Sequence, residues 1–116
     1  MNIKILSRKD LIGILRMPQV IEGVKDVYRA KAGGDVAAWP LVEHHFDASS
    51  VCDIRSGAAG GEVGVHGAKL LNNFPANAEK NLPVFTGVLM AFDSATGIPM
   101  GVAGSQPPEP QHAAAL

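Results

Sequence analysis

The chain has 116 residues, 47% of them hydrophobic and 18% charged, and its 10 Lys and Arg are offset by 11 Asp and Glu for a formal net charge of -1. This length predicts one domain with room for a core, too short for a catalytic unit plus a cofactor domain. The apolar content excludes a disordered chain, and the balanced, unclustered charge offers no electrostatic footprint for nucleic acid or an anionic membrane.

In chain order, Ile3 to Leu6 reads as a short strand. Ser7, with Asp10 three residues later, makes a capping box that opens a helix on Leu11, Ile12, Ile14 and Leu15. That apolar run is too brief for a signal sequence or a membrane span. Pro18 suits the first turn of a second helix, whose Val20, Ile21, Val24, Val27 and Tyr28 share one face at helical spacing. Gly33 and Gly34 stop it. From Trp39 the pattern changes to extended segments, Trp39 to Phe46 and Val51 to Arg55. Gly57, Gly60, Gly61 and Gly64 serve a turn before the strand Val65 to Leu71. They do not spell the strand, GxGxxG and helix of a dinucleotide-binding loop.

Phe74 to Pro83 reads as a loop, and the apolar run Phe85 to Phe92 as a central strand. Asp93 to Gly97 has turn chemistry, so Ile98 to Ala103 is expected to return antiparallel as a hairpin. Residues 1–103 then form the domain. Residues 104–116, with Pro107, Pro108 and Pro110, form an exposed, mobile tail. The expected class is α+β: two amino-terminal helices packed on a mainly antiparallel sheet of about five or six strands, with no Rossmann domain.

The only cysteine, Cys52, has no partner for a disulfide or a zinc site, which suits a reducing cytoplasm and a buried structural role. Glu43, His44, His45 and Asp47 lie close in sequence, but neighbours on a strand face opposite ways, so no metal site is assigned. His44 and Phe46 should share one face, and His45 and Asp47 the other. Ser49 and Ser50 lack the context of a nucleophile elbow. Lys69 stands out because it interrupts a strand of apolar and small residues, where an uncompensated charge is costly. A ligand carboxylate or an internal acid such as Asp53 is expected to balance it.

The run Gly67, Ala68, Lys69, Leu70, Leu71, Asn72, Asn73, Phe74, Pro75, Ala76, Asn77 is followed by Leu82 and Pro83, Gly87, Phe92 and Asp93, then Thr96 to Pro99. Together these residues resemble the amino-terminal domain of the ornithine cyclodeaminase and mu-crystallin family, and the order of elements extends the resemblance over roughly residues 3–103. Family members use a nicotinamide dinucleotide to oxidise an amino acid to an imino acid or run the reverse. In one branch ornithine cyclises to proline with loss of ammonia; alanine dehydrogenases and ketimine reductases form others.

The resemblance implies a domain that holds a small amino or imino acid and pairs two subunits, while a following Rossmann domain binds NAD(H). Lys69 matches the family's substrate-binding lysine, suited to pair with a carboxylate or polarise a developing carbonyl or imine in catalysis. Arg55 is the second substrate-binding candidate, as an arginine upstream of that lysine. After Gly101 the sequence leaves the family pattern, running through Gly104 and Gln106 into Pro107. The expectation is a truncated gene product or one subunit of a split enzyme, dimeric and inactive alone, holding no cofactor itself and served by a separate Rossmann-domain subunit. The alternative is a free-standing interaction domain derived from the family. Neither nucleic acid nor membrane is expected as a partner.

Overall fold

A computed structural model describes residues 2–105; the expected tail beyond Ser105 lies outside the described residues. The chain runs β1 (Lys4–Leu6), α1 (Arg8–Ile14), α2 (Met17–Ala32), β2 (Val36–Ala38), β3 (Val42–His45), β4 (Val51–Ala59), β5 (Val65–Asn73), a 3-10 helix (Pro75–Lys80), β6 (Phe85–Asp93) and β7 (Pro99–Ser105).

Local chemistry sets the helix bounds. The Asp10 N–H donates to Ser7 Oγ at 3.1 Å and the Ser7 N–H donates to Asp10 Oδ2 at 2.8 Å, closing the capping box. Pro18 lies in the first turn of α2, and the Gly33 N–H donates to the Arg29 carbonyl as the helix ends. Arg29 and Lys31 in that last turn complement the negative end of the helix dipole.

The strands form one seven-stranded mixed sheet in the order β1-β7-β6-β5-β4-β2, with β3 also paired to β4. The fold is α+β and mostly antiparallel. Its centre is β4, β5 and β6, each nine residues long and antiparallel in unbroken register from Val51↔Asn73 to Ala59↔Val65 and from Val65↔Asp93 to Asn73↔Phe85. β7 returns beside β6 as a hairpin, and β1 joins it in parallel through Lys4↔Gly101.

Several boundaries differ from the sequence reading. The extended stretch from Trp39 to Phe46 is not one strand: β2 ends before Trp39 and β3 begins after Leu41, both on the same edge of β4. Pro40 lies in the break and has no N–H to give to a ladder. Gly57 lies inside β4 rather than in the turn, and Gly104 and Ser105 continue β7.

No hydrophobic residue among the described ones is buried. Helix α1 touches β1 and β7, and α2 touches β2 and β4, so neither helix reaches β5 or β6. On one sheet face Val42, Ile54, Leu70 and Val88 stand opposite one another across four strands. Ala68, Met90, Val102 and Ile5 form the adjoining row. Leu70 keeps 39% of its exposure, Val88 43% and Met90 41%, which leaves this apolar band without a second layer. Cys52 lies on the same face and is half-buried, not buried, on a side of the sheet whose neighbouring large side chains also stay exposed.

The turn from β3 to β4 is organised by Asp47. Its Oδ1 accepts from the Ser49 N–H at 2.8 Å, the Ser50 N–H at 2.7 Å and the Ser49 hydroxyl at 3.2 Å. The backbone bond from Ser49, then that from Ser50, hold the carboxyl below its ordinary pKa. A depressed folded-state pKa means that the stabilisation is present above the unfolded value and is lost as pH falls through the folded one. The Ser49 and Ser50 amide resonances should therefore hold their positions as pH falls through about 4 and move only at lower pH. In Asp47→Asn that low-pH transition should vanish; its persistence would assign the turn to another group.

Candidate functional site

Strand register decides which side chains meet. Arg55 on β4 stands directly opposite Lys69 on β5, which in turn stands opposite Leu89 on β6. Asp53 opposes Leu71, and Val51 opposes Asn73. Because side chains alternate along a strand, these residues share the face away from the apolar band. All of them except Leu89 line a cavity of about 310 Å³ to which Phe85 also contributes.

The electrostatics of the cavity are uneven. Arg55 is 65% exposed at its side chain and its Nη2 lies 3.4 Å from Asp53 Oδ2, a loose and largely solvated ion pair. Lys69 is half-buried, and no carboxylate among the described residues lies within ion-pair distance of its ammonium. Asp53, expected as a counter-charge for Lys69, is instead given to Arg55. The two share a face at i and i+2 of one strand, whereas Lys69 is only diagonal to Asp53. Two acceptors here have no hydrogen-bond partner although they are buried: Asp53 Oδ1 and Asn73 Oδ1.

Asn73 was missed in the sequence, where it lies beyond the expected strand Val65 to Leu71; β5 runs on to include it. Only the antiparallel register of β5 against β4 places it beside Asp53, and no local sequence signal does so.

A larger cavity of about 510 Å³ lies between α2 and the β4–β5 turn, lined by Asp26, Arg29, Asp35 and Glu62 among others. Its arginine is committed to Asp26 at 2.9 Å, so its remaining charge is acidic and unsuited to a carboxylate. Glu43 and His45 share one face of β3, with His45 Nε2 at 2.7 Å from Glu43 Oε1. His44 turns the other way, its ring edge-on to Phe46 at 4.8 Å, and Asp47 is occupied by the turn. No group of three or more His, Cys, Asp or Glu among the described residues is placed to hold a metal. Ser49 and Ser50 bond to Asp47 in that same turn.

A nicotinamide dinucleotide does not fit the glycine-rich segment. Gly60, Gly61 and Gly64 close a hairpin between antiparallel strands, with Gly61 at φ 59 and Gly64 at φ 60, and a strand follows where a pyrophosphate would need a helix amino terminus. Nor is any helix among the described residues long and apolar enough to cross a membrane.

No family model matches the chain. It is 26% identical over 102 residues to an alanine dehydrogenase of Archaeoglobus fulgidus, covering 88% of this chain and 30% of that protein. Among solved structures, an archaeal alanine dehydrogenase dimer with bound NAD matches with a TM-score of 0.80 at 23% identity, covering 91% of this chain and 32% of that one. The Δ1-pyrroline-2-carboxylate reductase of Thermococcus litoralis, in complex with NADH and L-proline, matches with a TM-score of 0.78 at 20% identity, over 88% of this chain and 32% of that one. The chain thus spans about a third of the length of the proteins it matches. The resemblance to the ornithine cyclodeaminase and mu-crystallin family extends from its motifs to its fold.

Proposed function

We propose that this chain is the substrate-holding and subunit-pairing part of an NAD-dependent amino-acid-metabolising enzyme of the ornithine cyclodeaminase and mu-crystallin type. One observation carries the reading: Arg55 and Lys69 face each other across β4 and β5 at a cavity of about 310 Å³, and Lys69 has no counter-ion among the described residues. A substrate carboxylate supplies the missing negative charge. Arg55 grips it through its planar fork, and the Lys69 ammonium pairs with it or polarises the carbon–oxygen or carbon–nitrogen double bond that develops beside it.

Oxidising an amino acid to an imino acid requires a hydride acceptor. Since no strand, glycine turn and helix unit occurs among residues 2–105, the polypeptide that holds NAD lies outside them, and this part alone is inactive. The uncovered apolar band supports pairing of two copies, and it also favours the second reading, a non-catalytic interaction domain that kept the fold. A single thiol and no disulfide suit a cytoplasmic setting.

Chemical-shift titration separates the two readings. Ornithine and proline should shift resonances of Arg55 and Lys69 with a dissociation constant of about millimolar, since one or two charge-assisted contacts must offset the cost of association. A diamine of ornithine's length without the carboxylate should leave them in place, and Lys69→Met should abolish the response. Equal shifts with the diamine, or none at Lys69, would reject the carboxylate site and leave the interaction domain.

A further inference from the structure

We infer that the same cavity has a second, amine-reading half formed by Asp53 and Asn73, so that it selects α-amino acids over simple carboxylates; the inference rests on the carboxylate site proposed above. Asp53 and Asn73 are diagonal neighbours on the cavity face, and each keeps one buried oxygen, Oδ1 in both cases, without a donor. A buried acceptor left unmade costs about 1–3 kcal/mol, so two side by side call for a shared partner rich in N–H groups.

The described residues supply no such partner. The nearest cation, Arg55, leans on the other oxygen of Asp53 at 3.4 Å and leaves Oδ1 unpaired. Asp53 retains 16% side-chain exposure, so a small rotation of its carboxylate presents the orphan oxygen to the cavity it lines.

The cavity wall is therefore divided along β4. Donors without full compensation, Arg55 and Lys69, stand at one position, and the two unpaired oxygens, Asp53 Oδ1 and Asn73 Oδ1, begin two residues away. An α-amino acid has the complementary pattern, a carboxylate and an ammonium on adjacent atoms of one carbon. Its carboxylate meets the cations while its ammonium donates to Asp53 Oδ1 and Asn73 Oδ1. A simple carboxylate answers only the first half. A dicarboxylate would bring its second negative group against Asp53, which repels it.

The test compares alanine with propionate, which have the same carbon skeleton and differ in the ammonium, by chemical-shift titration of the unmodified chain. Alanine is expected to bind about tenfold more tightly, the worth of one charge-assisted hydrogen bond. Asp53→Asn should bring the two affinities to within about threefold while propionate still binds, and Asn73→Ala should narrow the gap by a smaller factor. The wild-type ratio decides the matter even if a variant fails to fold. Equal affinities of alanine and propionate would overturn the amine half and leave the carboxylate site standing. Failure of both ligands to bind would overturn both.

Discussion

Leu70→Glu and Val88→Lys are each expected to convert a dimer into a monomer at micromolar concentration, raising the dissociation constant at least about a hundredfold. The two residues stand opposite each other on β5 and β6, at the end of the apolar row that runs from Val42 through Ile54. They are 39% and 43% exposed, and neither helix approaches their strands. A stable domain needs two packed layers, and the pairing proposed above supplies the second layer for this face from the same face of another copy.

Covering the exposed two-fifths of one such side chain contributes about 1 kcal/mol in each copy, and burying a charge in its place adds a desolvation cost of several kcal/mol, so a hundredfold change, about 2.7 kcal/mol, is a lower bound. In the separated chain the new charge remains in water and costs little, so circular dichroism should be unchanged. Glu62→Lys, at the exposed hairpin turn, should leave association as it was. Sedimentation across a wide concentration range reads all three variants. A wild-type chain that stays monomeric throughout, or an apolar-band variant that still dimerises, would place the interface elsewhere.

Gly67→Ala is expected to lower folding stability by about 3 kcal/mol or more, seen as a large fall in the denaturant midpoint. A methyl group at Gly67 would run into the carbonyl oxygen of Met90, with the Ala91 Cα 3.4 Å away. Both are backbone atoms of β6, held by the β5–β6 ladder, and they cannot retreat without breaking it. The penalty comes from the close approach of two strands, not from the intrinsic cost of alanine. Gly23→Ala makes the contrast: that position lies inside α2 with nothing within 4 Å of an added Cβ, so alanine should stabilise the chain by about 1 kcal/mol. A Gly67→Ala midpoint equal to that of wild type would mean that β5 and β6 do not approach so closely.

The amino-acid order by itself determined features whose physics reaches only three or four residues. The Ser7 and Asp10 capping box, Pro18 at the start of α2 and Gly33 at its end were legible because each pairs or removes an unpaired backbone group within its own helix turn. Strand alternation likewise separated His44 from His45 on β3. Lys69 stood out as the one charge in an otherwise apolar or small-residue strand.

Tertiary structure decided what depends on register between distant strands. Only the pairing of β4 with β5 sets Arg55 opposite Lys69, gives Asp53 to Arg55, and brings Asn73 within reach of the same cavity. Only the return of β1 to β7 carries Ile5 into the apolar band, and only the helix placement leaves Leu70 and Val88 without a covering layer. A one-residue slip in any ladder would turn these side chains to the opposite face. Register is fixed by the sum of pairings over the whole sheet, so it is absent from any local window of sequence.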